Sequence, residues 1–278
     1  MLLKSFSKIN LSLTVNKKKK MNLHQIQTFF CLINLYDEIR FKKIKGKKDI
    51  VKFKGKFSKR INKTKNTVTK TLGLLRREKI IKNYYLVEVN KKIPISAGLG
   101  GGTSNSFFLA KQLAGKRFNK NLINKFEGII GSDFKLFLHK QGFMRNLSNI
   151  SNFNKRYKAN FLLIYPHIQS STKLVYSKLK KFSMMTKVSL NKINNKIQFF
   201  GILFSKKNDL QQVVEKKYPI INKIVNEIAQ NTGCYFSRMT GSGSVCYGIF
   251  QSEKTAKIAL NRIKKKYPRF WISIAKTI

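Results

Sequence analysis

Pro94-Ile95-Ser96-Ala97-Gly98-Leu99-Gly100-Gly101-Gly102-Thr103-Ser104 is the stretch whose reading decides the fold. Four of the five positions from Gly98 to Gly102 are glycine, so backbone N–H groups can approach a ligand with no Cβ in the way. Thr103 and Ser104 open an apolar segment, Asn105 to Ala114, which Gly115 closes as a helix C-cap. A glycine loop feeding a helix N-terminus is an anion site, because unpaired N–H groups and the positive dipole end coincide there. This is not the Walker loop, which ends in Gly-Lys-Ser/Thr. Nor is it the dinucleotide fingerprint, since Thr103 stands where the last glycine belongs. Taken alone, the segment also reads as a plain flexible turn.

Working outward, Ile9, Leu11, Leu13 and Val15 alternate with Lys8, Asn10, Ser12 and Thr14, which predicts a half-buried strand near the start of the chain. A strand so early leaves no room for a cleaved leader, and the expected setting is the bacterial cytoplasm. Lys17 to Lys20 reads as a solvated turn and Ile26 to Asn34 as a second strand. The lysine-dense stretch from Arg40 to Lys70 reads as exposed hairpins or a loop. Leu86 to Asn90, Phe161 to Tyr165 (stopped by Pro166) and Phe270 to Ala275 read as strands. Ser252 caps an amphipathic helix through Ala256, Ala259, Leu260 and Ile263. Strands and helices mix without a βαβ rhythm, so the expected class is α+β. The polar stretch Asn146 to Arg156 suggests a division into residues 1–150 and 151–278.

The chain has 278 residues, 58 Lys+Arg against 11 Asp+Glu, and a formal net charge of +47. Hydrophobic residues make up 42%, enough for a core, which argues against global disorder. Such charge invites a nucleic-acid reading. Yet the lysines are spread along the chain and accompanied by abundant Asn, Ile, Phe and Tyr, all with AT-rich codons. Drift in an AT-rich genome accounts for the whole set, nucleic-acid binding for the lysines alone. Cys31, Cys234 and Cys246 are widely spaced, which excludes a disulfide framework or a zinc ribbon. His24, His139 and His167 form no metal-ligand pair. No apolar run reaches the roughly 20 residues that span a bilayer.

Two further motifs carry chemistry. Thr240-Gly241-Ser-Gly-Ser244 precedes the apolar Val245 to Phe250, as a tight turn before a strand also would. Gly131-Ser132-Asp133 holds one of only four aspartates, the others being Asp37, Asp49 and Asp209; a turn or N-cap is its plain alternative.

Together these pieces resemble the GHMP kinase superfamily. The Lys8-Ile-Asn10-Leu strand, His24-Gln-Ile-Gln-Thr28, the Pro94–Ser104 loop, Gly131-Ser-Asp133 and Thr240-Gly-Ser-Gly243 occur in its order over nearly the whole chain. The Lys8, Asn10 and His24 set points to the branch acting on a cytidine diphosphate alcohol. The resemblance implies a two-lobed α+β fold, with a ribosomal-protein-like N-terminal lobe and a ferredoxin-like C-terminal lobe. It implies transfer of the ATP γ-phosphate, with Mg²⁺, to the 2-hydroxyl of 4-diphosphocytidyl-2-C-methyl-D-erythritol, a step toward isoprenoid precursors. Under it Asp133 would accept the hydroxyl proton, and Lys8 would pair with that carboxylate and steady the phosphoryl charge. The Pro94–Ser104 loop and Asn66 would meet the nucleotide. His24 and Tyr176 would meet the cytosine, and Asn10, Thr172, Thr240 and Gly241 the rest of the substrate. A monomer or homodimer, with no nucleic-acid or membrane partner, is expected.

Three positions depart from the family pattern: Leu23 where a tyrosine is usual, and Phe134-Lys135 where Val-Pro is usual. Another GHMP kinase, for homoserine, mevalonate or a sugar, is the first alternative. A basic RNA-binding protein sharing the N-terminal architecture is the second; in it the Gly98–Ser104 loop and Asp133 would be dispensable.

Overall fold

The computed structural model describes residues 2–18, 24–146, 149–153, 155–186, 190 and 193–278. Leu23, Lys19 and Lys20 lie outside the described residues, as do positions 147, 148 and 154 of the expected division. The chain forms two compact units whose segments interleave. Met1–Lys8, Leu35–Ile95 and Gly100–Leu138 make the first, and Ile9–Asn34, Ser96–Leu99 and His139–Ile278 the second. The expected division at residue 150 follows the chain, whereas the units do not. Strands β1 (Leu2–Asn10) and β3 (His24–Ile44) each begin in one unit and end in the other.

In the first unit the later half of β3 pairs antiparallel with β5 (Tyr84–Asn90), Glu38 opposite Asn90 and Ile44 opposite Tyr84. On the other side of β5, β4 (Ile50–Lys54) runs parallel. Of the lysine-rich stretch expected to be exposed hairpins or a loop, residues 45–49 and 55–66 are irregular as expected, while the rest is the end of a long strand, a further strand and the start of a helix. Its lysines occupy solvent-facing positions, so the period-2 pattern is masked by charge. Helix α1 (Thr67–Arg77) buries Val68, Thr71, Leu72 and Leu75, the i, i+3, i+4, i+7 set of one face. The Thr71 hydroxyl lies 2.5 Å from that of Ser106, tying α1 to α2 (Gly101–Ala114). Gly115 ends α2 as the sequence leads one to expect, and α3 (Lys120–Ile130) follows.

The second unit holds a four-stranded antiparallel sheet in the order β11 (Trp271–Lys276), β8 (Asn160–Tyr165), β10 (Cys246–Phe250), β9 (Cys234–Met239). Helices α7 (Ile220–Ala229) and α8 (Glu253–Lys266) pack on it. Ser252 caps α8 through a capping box with Thr255, again as the sequence leads one to expect. The early half of β3 pairs with β2 (Thr14–Lys18) and with β6 (Gln141–Asn146), which continues to β7 (Asn149–Asn152). Shorter helices α4 (Thr172–Ser177), α5 (Lys196–Phe204) and α6 (Gln211–Lys217) complete the unit. The strand read at 9–15 is in fact split between β1 and β2. Both of its alternating sets are buried, polar Lys8, Asn10, Ser12 and Thr14 as well as the apolar residues, so it is not half-exposed.

The cysteines are free, and burial pushes the thiols of Cys31 and Cys246 up and that of Cys234 up to about 11, so none is poised as a nucleophile. Among the described residues, no helix is long and apolar enough to cross a membrane.

One polar interaction lies deep in the first unit. Asp37 is fully buried and paired with the buried Lys91 ammonium; its other oxygen accepts from the Lys92 and Ile93 N–H groups at 2.8 and 2.9 Å. Breaking such a pair leaves an uncompensated charge, typically worth about 3–5 kcal/mol. Asp37→Asn should therefore lower unfolding free energy in urea by about that amount. Lys91→Met added to it should restore part of the loss by removing the stranded charge.

Candidate active site

Lys8, near the end of β1, is 2% exposed, and its ammonium lies 3.1 Å from Oδ2 of Asp133. The carboxylate side chain is 33% exposed, so a substrate can reach it while its partner stays covered. A lysine stem can follow this path because position 100 lacks a Cβ: one built there would stand 3.0 Å from Lys8 Cε and 3.2 Å from Phe137 Cζ. Gly100 also has φ +67°, a second reason for glycine.

Asp133 sits in a short 3-10 turn, Ser132–Leu138. The turn is anchored by the residue that departs from the family pattern. The Phe134 ring is buried and stacks on Phe126 of α3 at 4.9 Å and 4°, and meets Phe107 of α2 at 5.3 Å. Lys135, the other departure, pairs with Glu127 at 2.5 Å. Packing therefore does here what a rigid backbone residue would do elsewhere.

Gly100 caps α2 with no side-chain hydrogen bond, and no acidic residue sits in the first turn. The opening N–H groups of the helix are thus left for an anion. Gly102 is exposed, and an added Cβ would meet Thr67 at ordinary contact distance, 3.4 Å from Oγ1 and 3.5 Å from Cγ2. Gly101 is buried, and its Cβ would stand 2.9 Å from Ile93 Cγ2 and 3.3 Å from Lys91 Nζ. The Ser104 side chain faces inward and donates to the Phe6 carbonyl at 2.5 Å, and its N–H donates to the Gly100 carbonyl at 2.8 Å, so both donors at position 104 are engaged within the protein. Asn66 is the N-cap of α1, accepting from Val68 and Thr69 N–H and donating to the Asn62 and Lys63 carbonyls. Both ends of its amide are engaged in this cap.

In the second unit, the middle of the loop (Ser96–Leu99) meets the other glycine motif. The Val245 N–H donates to the Ala97 carbonyl at 3.1 Å, and a Cβ on Gly98 (φ +82°) would run into the Thr240 carbonyl. The backbone N–H of Asn10 donates to Thr240 Oγ1, and its side-chain amide to Thr28 Oγ1, both at 2.9 Å. Gly241 lies against Asn10 Oδ1 and the Gly98 carbonyl, each 3.1 Å from an added Cβ. Thr240 and Gly241 thus hold the loop and Asn10 in place. The Thr172 and Ser242 hydroxyls lie 2.8 Å apart. His24 and Tyr176, 152 positions apart in the chain, meet with ring centroids at 4.7 Å and planes at 37°.

Sequence reasoning missed three supports. Asn208 donates to the Met239 and Gly241 carbonyls at 2.8 Å each, and Asp209 accepts from the Val15 N–H at 2.8 Å. Buried Arg238 donates to the Leu11 and Phe204 carbonyls at 3.1 and 3.0 Å. No spacing rule signals any of these, although the scarcity of aspartate draws the eye to Asp209.

Residues 188–269 match the family described as GHMP kinases C terminal. The chain is 36% identical over 99% of its length to the 4-diphosphocytidyl-2-C-methyl-D-erythritol kinase of Pelagibacter ubique (strain HTCC1062), covering 98% of that protein. It is 34% identical over 97% of its length to the protein of the same name from Wolbachia pipientis wMel, covering 96% of it. Among solved structures, a 4-(cytidine 5'-diphospho)-2C-methyl-D-erythritol kinase shares the fold at TM-score 0.76 and 19% identity, with 99% of each chain covered.

Substitution at two adjacent glycines separates folding from ligand approach. Gly101→Val should destabilise the protein itself, because its branched side chain would enter the Ile93–Lys91 layer. Gly102→Ala should leave thermal stability unchanged or raised, since Ala is the better helix former. It should weaken ATP binding about tenfold by calorimetry, the loss of roughly one charge-assisted hydrogen bond. Unaltered affinity would mean that the helix terminus does not hold phosphate.

Proposed function

The chain belongs to the 4-diphosphocytidyl-2-C-methyl-D-erythritol kinase family, and from that premise we propose that it transfers the ATP γ-phosphate to the 2-hydroxyl of 4-diphosphocytidyl-2-C-methyl-D-erythritol. The observation that carries this reading is the Lys8–Asp133 pair beside the uncapped glycine start of α2.

Phosphoryl transfer asks a protein mainly for positioning and charge stabilisation. Asp133 takes the proton of the substrate hydroxyl; the hydroxyl oxygen forms the new bond to γ-phosphorus, the bond to the bridging β–γ oxygen breaks, and ADP leaves. Lys8 keeps the carboxylate oriented and offers its positive charge to the transferring group. The first-turn N–H groups of α2 hold the triphosphate. Mg²⁺ enters with it as part of the substrate: among the described residues no cluster of three His, Cys, Asp or Glu side chains could hold the ion alone.

The second-unit residues take the cytidine half. His24 meets the edge of the base, Tyr176 supplies a face for stacking, and Asn10 and Thr172 contribute polar contacts. A cytoplasmic setting, where both nucleotides are made, goes with this reading, as does a monomer or homodimer.

The decisive assay measures ATP turnover with 4-diphosphocytidyl-2-C-methyl-D-erythritol, homoserine and mevalonate in parallel; equal turnover with all three would refute the substrate assignment. Two variants then divide chemistry from binding. Asp133→Asn keeps size and most hydrogen bonds but removes the proton acceptor, so kcat should fall on the order of 10²–10⁴ while ATP affinity holds. His24→Ala should chiefly raise KM for the cytidine substrate, as loss of uniform binding does.

A further inference from the structure

We infer that Phe182 is an additional base-stacking residue, presenting its ring face to the cytosine of the substrate beside His24 and Tyr176. This inference rests on the function proposed above and adds a residue to its cytidine half.

Three aromatic rings from three separate segments gather at the start of β3. His24 opens that strand, Tyr176 lies in α4, and Phe182 belongs to the stretch after it, which forms no regular helix or strand. The Phe182 centroid lies 6.4 Å from that of His24, with the planes 28° apart. Phe182 is thus set close to parallel with the imidazole, whereas Tyr176 is tilted from it by 37°. Core pairs elsewhere take many angles, from 4° for Phe126 and Phe134 to 87° for Phe107 and Phe118. What sets Phe182 apart from those buried rings is its exposure, which leaves it available to a flat heteroaromatic guest.

Phe182 is 44% exposed, yet the backbone that carries it is firmly tied. The Ser183 N–H donates to the Val15 carbonyl at 2.8 Å, and the Asn16 amide donates to the Ser183 and Met184 carbonyls at 3.0 and 3.1 Å. The Gln27 side chain closes a two-point clamp on Thr186, accepting from its N–H at 2.8 Å and donating to its carbonyl at 3.1 Å. Five hydrogen bonds thus hold an otherwise irregular stretch against β2 and β3. A loop kept in register to this degree positions its side chains, and Phe182 is the one set beside the base-binding rings.

Stacking uses the π-face that every base has, whereas hydrogen bonds read the edge. Phe182 therefore supplies affinity without discriminating cytosine from uracil, and that separates its role from that of His24. The test uses steady-state kinetics of the full-length protein with the cytidine substrate and its uridine analogue, plus calorimetric titration with CDP. Phe182→Ala should raise KM for both substrates by about 5- to 150-fold, the range of one base–aromatic stack, with kcat and the KM for ATP nearly unchanged. Phe182→Trp should restore KM. Phe182→Leu, which keeps apolar bulk but lacks a π-face, should behave like Phe182→Ala. Unaltered KM in Phe182→Ala, or full recovery in Phe182→Leu, would overturn the inference while leaving the kinase reading intact. If the wild-type protein turns over neither cytidine nor uridine substrate, the kinase reading falls instead. CDP titration then decides this inference by itself: equal affinity of wild type and Phe182→Ala overturns it, and a 5- to 150-fold weaker affinity supports it.

Discussion

Burying a lysine ammonium is tolerable only where a carboxylate meets it, and the first unit is arranged around two such meetings. Lys8 reaches Asp133, and Lys91 reaches Asp37. Both side chains lie against the glycines that begin α2: the Lys8 stem against Gly100, and the Lys91 ammonium below Gly101. The helix start is therefore set by close backbone approach to two buried cations. The opening N–H groups of α2 and the Asp133 carboxylate are placed by one packing arrangement.

The same constraint explains what composition did to this chain. Acidic residues are few, and every one of the four aspartates has a definite partner. Asp37 and Asp133 meet buried lysines, Asp49 receives both terminal guanidinium nitrogens of Arg76, and Asp209 pairs with Lys207 while accepting the Val15 N–H. The excess lysine lies on exposed positions, such as those of β4 and the outer face of α8. Substitution toward lysine is nearly neutral on a solvated face and costly in the interior. Each aspartate retained against such a background marks a place where the fold or the chemistry requires a carboxylate.

In the second unit the polar side chains around the turn at Gly241 are held chiefly by neutral hydrogen bonds. Asn10, Thr28, Thr240 and Asn208 share carbonyls and hydroxyls around the turn at Gly241, and Arg238 and Tyr247 both donate to the Leu11 carbonyl. Burial pushes the Tyr247 phenol up, which keeps it a donor. Such a network specifies one geometry because every member is satisfied by the others.

Local pattern was enough to read the glycine loop into a helix, the Gly115 and Ser252 caps, the last strand and the α+β class. Each depends on residues within one or two turns of one another, where backbone freedom and side-chain spacing decide the outcome. The paired role of Lys8 and Asp133 came from family resemblance, since nothing in 58 basic residues singles out one lysine. Other features were decided by tertiary structure alone. Asn66 became a helix cap, Ser104 turned inward, Phe134 anchored the turn that carries Asp133, and Asn208 braced the second glycine motif. Compact units came to interleave because two strands pass through both. These outcomes turn on contacts between residues tens to hundreds of positions apart, and burial and hydrogen-bond satisfaction at such contacts leave no periodic trace in the chain.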